Sequence, residues 1–374
     1  MSVQELREAY ERLTQTVCVE ELFGMPGPDE TPEAVATAVR GAYHRLSRIV
    51  HPDLHAGDPD ALELANDAFA RLGELYRRAE IKIAAGHYGA GSADDEPTET
   101  GDGIDLVIRT RRRRYHLRSV LAEGDVATIY GGTCLDAESD DPGIVAKVAT
   151  EAGDNDLIQR EANALHQLWS SPGIQTKHLP VVLDQFKTTD GRLGNVLRRL
   201  HALDGPSIRA RRPGGLPADH VVWIFERLLS AVGYAHSRGI LHGNVEPSHV
   251  LVRTGDHNVF LIDWCWAVVE PARTGDGFHC ANDDYHPPEV QQRGPPTPAA
   301  DLYGVGKCMV YLLGGDPAAQ TFPASVDERL QRFIRFFLLP SPRQRAQDAW
   351  EMHGQLRQLR QEIFGPPRFV ELVI

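Results

Sequence analysis

Apolar positions recur along this chain first at helical spacing and later at strand spacing, and the change divides it in two. The opening segment, Ser2–Leu13, alternates charged and apolar residues as an amphipathic helix. A loop rich in Gly, Pro and Asp follows (Gly24–Glu30), and Thr31-Pro32-Glu33 then starts a helix. Val35, Val39, Ala42, Leu46, Ile49 and Val50 share one face of it, with Arg40, His44 and Arg48 opposite and Arg45 at the flank. The helix is predicted to end at His51-Pro52-Asp53, because proline disfavours helical geometry in the residue before it. After a loop (Leu54–Pro59), Leu64, Ala68, Leu72, Leu75 and Tyr76 mark a second amphipathic helix from Asp60 to Ile83, completing an αα-hairpin. Gly86–Gly103 is polar, acidic and glycine-rich, the composition of a flexible linker and a domain boundary.

Beyond the linker the pattern shortens. Ile104–Ile108, Tyr115–Leu121, Ile144–Val148, Val181–Phe186 and Leu193–Leu200 read as strands. Between the third and fourth lies a helix with Ile158, Glu161, Leu165 and Leu168 on one face. A carboxylate on an apolar stripe needs a partner, and Lys147 on the preceding strand is the candidate. His201–Gly205 reads as a hinge. A long helix, Pro217–Arg238, then ends at Gly239 and delivers the chain to a polar loop. Two β-branched strands follow, Val250–Arg253 and Val259–Ile262, joined by Gly255-Asp256-His257-Asn258 and closed by Asp263.

Composition narrows the function. The chain has 374 residues, 42% hydrophobic and 24% charged, which suits a soluble protein of two or three compact units. No apolar run reaches membrane-spanning length and the first helix is no signal peptide, so a cytoplasmic location is expected, with no membrane partner. A net charge of −13 argues against nucleic-acid partners. The run Arg109, Arg111, Arg112, Arg113, Arg114 is read as a solvated strand edge. The 5 cysteines show no C-x-x-C spacing, so neither zinc nor disulfides are expected.

The segment His236–Cys265 resembles the catalytic loop and metal-binding segment of protein kinases, H-R-D-x-x-x-x-N followed by a hairpin and D-F-G. Here the frame reads His242-Gly243-Asn244, then His249, then Asp263-Trp264-Cys265. Pro287-Pro288-Glu289 resembles the family's A-P-E, Asp301 the helix aspartate that braces the catalytic loop, and Arg345 the arginine that pairs with Glu289. The resemblance implies a nucleotide site made of Gly124, Lys147, Glu161 and Asp263, with ATP and with magnesium on Asp263. Only Gly124 remains of the glycine-rich loop.

The hairpin resembles the J domain of DnaJ-type co-chaperones on AYHRLSRIV, HPD and NDAFARL. That resemblance implies a DnaK-type chaperone as partner, contacted by His51, Pro52, Asp53, Arg45 and Arg48, which would steer it electrostatically. The domains are accordingly an N-terminal helix (1–17), the J domain (18–85), the acidic linker (86–103) and a kinase-like N-lobe (104–203) and C-lobe (204–374). In fold class this is an all-α helical hairpin followed by an α+β two-lobed kinase-like fold.

The degenerate positions decide the expected function. Asn244 replaces the catalytic aspartate and takes no proton near neutral pH. His249 replaces a metal-binding asparagine, Glu246 a lysine, and Gly243 an arginine. The expectation is therefore a co-chaperone whose kinase-like domain is inactive and holds an unknown protein client. The alternative is an active, atypical Ser/Thr protein kinase, or another ATP-dependent transferase regulated by its J domain.

Overall fold

The computed structural model describes residues 2–16, 18–27, 30–55, 57–84, 86, 88–89, 104–137, 143–255, 258–280, 282–366, 370 and 372–374. Most of the anticipated linker, much of the acidic turn before Ile144, and Asp256 and His257 of the hairpin turn lie outside these residues. In chain order the first elements are α1 (Val3–Gln15), α2 (Val19–Phe23), α3 (Pro32–Val50), α4 (Pro59–Ala84), β1 (Leu106–Arg109), β2 (Arg114–Glu123), β3 (Ala127–Cys134) and β4 (Ile144–Ala149). There follow α5 (Asn155–Trp169), β5 (Val182–Lys187), β6 (Leu193–Arg198), β7 (Leu203–Asp204), α6 (Gly205–Arg211), α7 (Ala218–Ser237), β8 (Ile240–Leu241), β9 (Val250–Arg253) and β10 (Asn258–Leu261). The last are β11 (Val268–Val269), α8 (Pro271–Thr274), α9 (Pro288–Gln291), α10 (Pro298–Leu312), α11 (Glu328–Phe337) and α12 (Ala349–Phe364).

Two compact units form. The first comprises residues 1–158, 169–174 and 181–199, the second 159–168, 175–180 and 200–374. In the first, a six-stranded antiparallel sheet runs β1-β2-β3-β4-β6-β5. Its core is shared with the N-terminal helices: Leu6, Leu13, Leu64, Leu72 and Leu75 belong to one cluster with Tyr115, Leu117, Ile144 and Val196. Tyr10 of α1 stacks on Trp169 at 6.3 Å between ring centroids. The helices are thus part of the sheet's own core.

Part of the arginine run departs from the solvated edge that was expected. Arg113 donates twice to the Glu21 carboxylate (Nε to Oε1 and Nη2 to Oε2, each 2.9 Å), tying β2's start to α2. Burial works against its charge, but the Glu21 carboxylate outweighs it and holds the guanidinium protonated. Arg114 pairs with Asp136 (2.8 Å), while Arg109, Arg111 and Arg112 remain exposed. The fastening joins residues far apart in sequence, which is why local pattern did not show it.

In the hairpin, α3 stops at Val50 and Pro52–Leu54 form a single tight turn. The His51 Nδ1 accepts from the Asp53 amide (3.3 Å), and the imidazole lies edge-on to Phe69 of α4. Arg40, His44, Arg45 and Arg48 are exposed.

The second unit is largely helical. α7 and α10 are buried along most of their length, and Phe225 of α7 packs against Phe337 of α11 at 5.1 Å. Two small sheets, β10-β9-β7 and β11-β8, lie in this unit and carry the polar loop between them in sequence. Among the described residues, no helix is long and apolar enough to cross a membrane.

Candidate active site

The polar loop between β8 and β9 owes its shape to one buried carboxylate. Asp301, in the first turn of α10, accepts from the His242 amide (Oδ2, 2.8 Å), the Gly243 amide (Oδ1, 2.9 Å) and the His236 imidazole (2.8 Å). Burial pushes its carboxyl up, yet the bonds from His236 and Gly243 outweigh that and leave it below the ordinary aspartate range. Gly304, one turn along α10, lets the loop approach, since a Cβ there would meet the Val245 carbonyl at 2.4 Å.

His242 forms the floor. Its Nδ1 accepts from the Asn244 amide (3.3 Å), so Nε2 donates to the Ile262 carbonyl (2.9 Å). The ring is fully enclosed, edge-on to Trp264 at 4.6 Å, and burial lowers its pKa to about 4. Gly243 adopts φ 81°, and a Cβ there would lie 2.3 Å from the Trp266 carbonyl oxygen. The absent arginine is thus explained by space and backbone: only glycine fits.

Asn244 is buried, at 6% exposure, and its Oδ1 has no hydrogen-bond partner among the described residues. A buried acceptor without a donor is costly. Two residues on, both oxygens of the Glu246 carboxylate are held, one by the Ser248 hydroxyl and the other by the Asn282 amide. His249 donates from Nδ1 to the Asn244 carbonyl (2.9 Å), which turns Nε2 toward Asp263 Oδ2 at 3.4 Å and Glu246 Oε1 at 3.7 Å. Asp263 itself sits in the left-handed region (φ 63°), and its Oδ1 accepts from the Cys265 amide (3.4 Å).

The site residues anticipated from sequence fall into both units. Gly124 and Lys147 belong to the first, Glu161 and Asp263 to the second. Gly124 closes a tight β2–β3 connection by donating to the Ala127 carbonyl (3.0 Å), and Lys147 is buried on β4, opposite Asn195 of β6. Within the second unit, Glu161 and Asp263 come together: their carboxylates and the Cys265 thiol offer ligand atoms within 4.8 Å of one another. Glu161 also accepts from the Trp264 amide (3.3 Å). Farther out, Arg345 is wholly buried and forks onto Glu289 (2.6 and 3.1 Å), while donating to the carbonyls of Ala299, Leu339 and Pro340. Ser248, Asn282, His236 and the Trp266 carbonyl were not anticipated. Asn282 lies 36 residues from the carboxylate it holds, and no local pattern marks it.

A sequence model of the protein kinase domain matches residues 119–361. The chain belongs to the protein kinase domain family. Serine/threonine-protein kinase PknL of Mycobacterium tuberculosis (strain H37Rv) is 30% identical to it over 226 residues, covering 58% of this kinase-family chain and 53% of the relative. Serine/threonine-protein kinase PknG of Mycolicibacterium smegmatis is 24% identical over 280 residues, covering 68% and 34%. Serine/threonine-protein kinase pkn3 of Myxococcus xanthus is 28% identical over 230 residues, covering 58% and 40%. The chain spans about half the length, or less, of these curated relatives.

These matches correct the functional expectation. The family model spans the loop that was read as disabled, and the similar relatives are serine/threonine-protein kinases. A co-chaperone with an inert kinase-like grip is therefore not the reading that follows, and the active-kinase alternative takes its place. The error was to weigh each altered residue alone. Phosphoryl transfer rests mainly on positioning, and here Asp301 braces the loop.

The family's cofactors set a test for the residues present. Lys147, a cation buried on the sheet, and the open Asn244 acceptor suit ATP and a hydroxyl substrate. Magnesium suits the site less well. It binds oxygen in a tight octahedron, and here one of the two metal-ligand positions is an imidazole.

Proposed function

We propose that this chain is an ATP-dependent protein kinase acting on serine or threonine hydroxyl groups. The observation that carries the reading is the bracing of the His242-Gly243-Asn244 loop by Asp301 beside Asp263, within the span that the protein kinase model matches. ATP supplies the phosphoryl group that moves. The transition state for that transfer is loose, so the protein's task is to align groups and to accept one proton.

Asn244 Oδ1 accepts from the substrate hydroxyl and aims its oxygen, but an amide cannot remove the proton. Glu246 can. Its carboxylate is on the same loop and is fixed by Ser248 and Asn282. By the family resemblance, Lys147 and Glu161 would hold the α- and β-phosphates of ATP and Asp263 would hold its metal ion. The helical head shares its core with the sheet of the first unit and so acts as a regulatory support for that lobe. Its likeness to J domains is a likeness of the hairpin.

The test is transfer of labelled phosphate from ATP to a mixed Ser/Thr peptide library and to the chain itself. Lys147→Ala should abolish incorporation. Glu246→Gln should lower kcat by about 100-fold with the KM for ATP unchanged. Equal rates for wild type and Glu246→Gln would remove Glu246 from the mechanism.

A further inference from the structure

The bond from Asn282 to Glu246 depends on a turn that lies outside the polar loop. Asn282–His286 closes on itself three times. The His286 amide donates to the Asn282 carbonyl (2.8 Å), the Asn282 amide to His286 Nδ1 (2.9 Å), and the Asp284 amide to Asn282 Oδ1 (3.1 Å). The last bond orients the carboxamide: with Oδ1 taken by a donor, the Nδ2 end is left to donate to Glu246 Oε2. The imidazole is equally well defined. A backbone N–H can only donate, so Nδ1 holds a lone pair and the ring proton lies on Nε2. His286 is buried beside Asp301 of α10 and beside Gly243 and Glu246 of the braced loop. Burial lowers its pKa although both carboxylates work the other way, so the ring is neutral near pH 7 and keeps the lone pair that Asn282 uses.

We infer that His286 is a positioning residue for phosphoryl transfer: by accepting from the Asn282 amide it fixes the turn that holds the Asn282 carboxamide on Glu246. This role presupposes Glu246 as proton acceptor and so rests on the kinase reading. Ser248, two residues along the chain, restrains Oε1 only. A glutamate carboxylate turns broadly about its last bond, and a bond at one oxygen leaves much of that freedom. Held at both oxygens, it presents one orientation to a substrate hydroxyl, which is what proximity catalysis needs. His286 acts through Asn282 and needs no contact with substrate or nucleotide.

The experiment uses the full chain and three substitutions. His286→Leu removes the acceptor, His286→Asn keeps one on Oδ1 near the place of Nδ1, and Asn282→Ala removes the carboxamide. In label transfer from ATP, His286→Leu should lower kcat by about tenfold to a hundredfold with the KM for ATP unchanged, since a misplacement of ~1 Å costs up to ~100-fold. His286→Asn should recover most of that loss, which a ring that only filled space would not allow. Asn282→Ala should lose about as much, and adding His286→Leu to it should cost little more, because both break one connection. Exchange of the Asn282 backbone amide reads the same bond without activity. It should be slow in wild type and His286→Asn, and about fivefold faster in His286→Leu, the worth of one hydrogen bond. If the leucine variant does not fold, His286→Gln, which stays polar but moves the acceptor one carbon further out, carries the same two predictions. An unchanged kcat, a loss that His286→Asn does not repair, additive losses in the double variant, or amide exchange indifferent to the change at 286 would each overturn the inference. The kinase reading fails separately, as a wild type that transfers no label while the Asn282 amide still responds to the change at 286.

Discussion

At Gly243 the backbone is left-handed and the Trp266 carbonyl oxygen leaves no room for a Cβ. Restoring the arginine found at this place in many kinases would therefore damage the loop. Gly243→Arg should destabilise the protein by at least about 2 kcal/mol, from the left-handed penalty plus the clash, as a lower urea midpoint at unchanged slope. A variant as stable as wild type would show that the loop can turn another way. Two buried histidines set a pH dependence. Burial lowers His242 to about 4 and His178, whose Nδ1 donates to the Val259 carbonyl, to about 3. Both rings stay neutral when folded, while unfolded histidine takes up a proton near pH ~6.5. The unfolded chain then binds more protons, so this contribution is complete above pH ~6.5 and is lost as the pH falls toward about 4. Unfolding should take up as many as ~2 protons in that window, a slope of up to ~2.7 kcal/mol per pH unit. Urea midpoints at pH 7.5 and 5.0 check it, and equal midpoints would contradict it.

Among the elements, the join between α9 and the segment before α12 is the most exposed to single substitutions. Arg345 is wholly buried, and Glu289 is its only carboxylate partner among the described residues. Glu289→Ala leaves an uncompensated buried charge and should cost about 3–5 kcal/mol, read as a fall in the chemical denaturation midpoint. A loss below 1 kcal/mol would mean that the carbonyls of Ala299, Leu339 and Pro340 are enough. This pair was legible in the sequence, because both residues sit in short motifs in the expected order. So were α3, α4, α7, β9 and β10, where apolar spacing alone gives the period. The short elements α2, α6, β7, β8 and β11 were not, since a strand of two residues has no period to detect. In the site, Asp263 came from the kinase resemblance and Glu161 from its place on an apolar stripe, and the two lie together, but one bond that holds Glu246 comes from a residue distant in the chain. Asn244, Glu246 and His249 were read as altered positions of one loop, and the structure keeps them together there. Residue identity alone does not show the bonds that fix them.

For the molecule as a whole, the helical head and the sheet form one unit with a continuous core, fastened at its rim by Arg113 and Glu21. Glu21→Ala should loosen that rim by about 1 kcal/mol, the pair being partly exposed. Amide exchange in α2 should then speed up about fivefold, and unchanged exchange would show that the apolar contacts carry the join alone. The second unit holds the braced loop, the buried histidines and the acidic residues beside them. What unites these parts is the claim that an altered catalytic loop still transfers phosphate. The direct measurement is incorporation of label from γ-labelled ATP by the purified chain with Mn2+ or Mg2+, wild type beside Asp263→Ala. The account predicts incorporation on serine or threonine in wild type and none in Asp263→Ala. A wild type that binds ATP and is folded, yet incorporates no more label than Asp263→Ala with either ion, would contradict it.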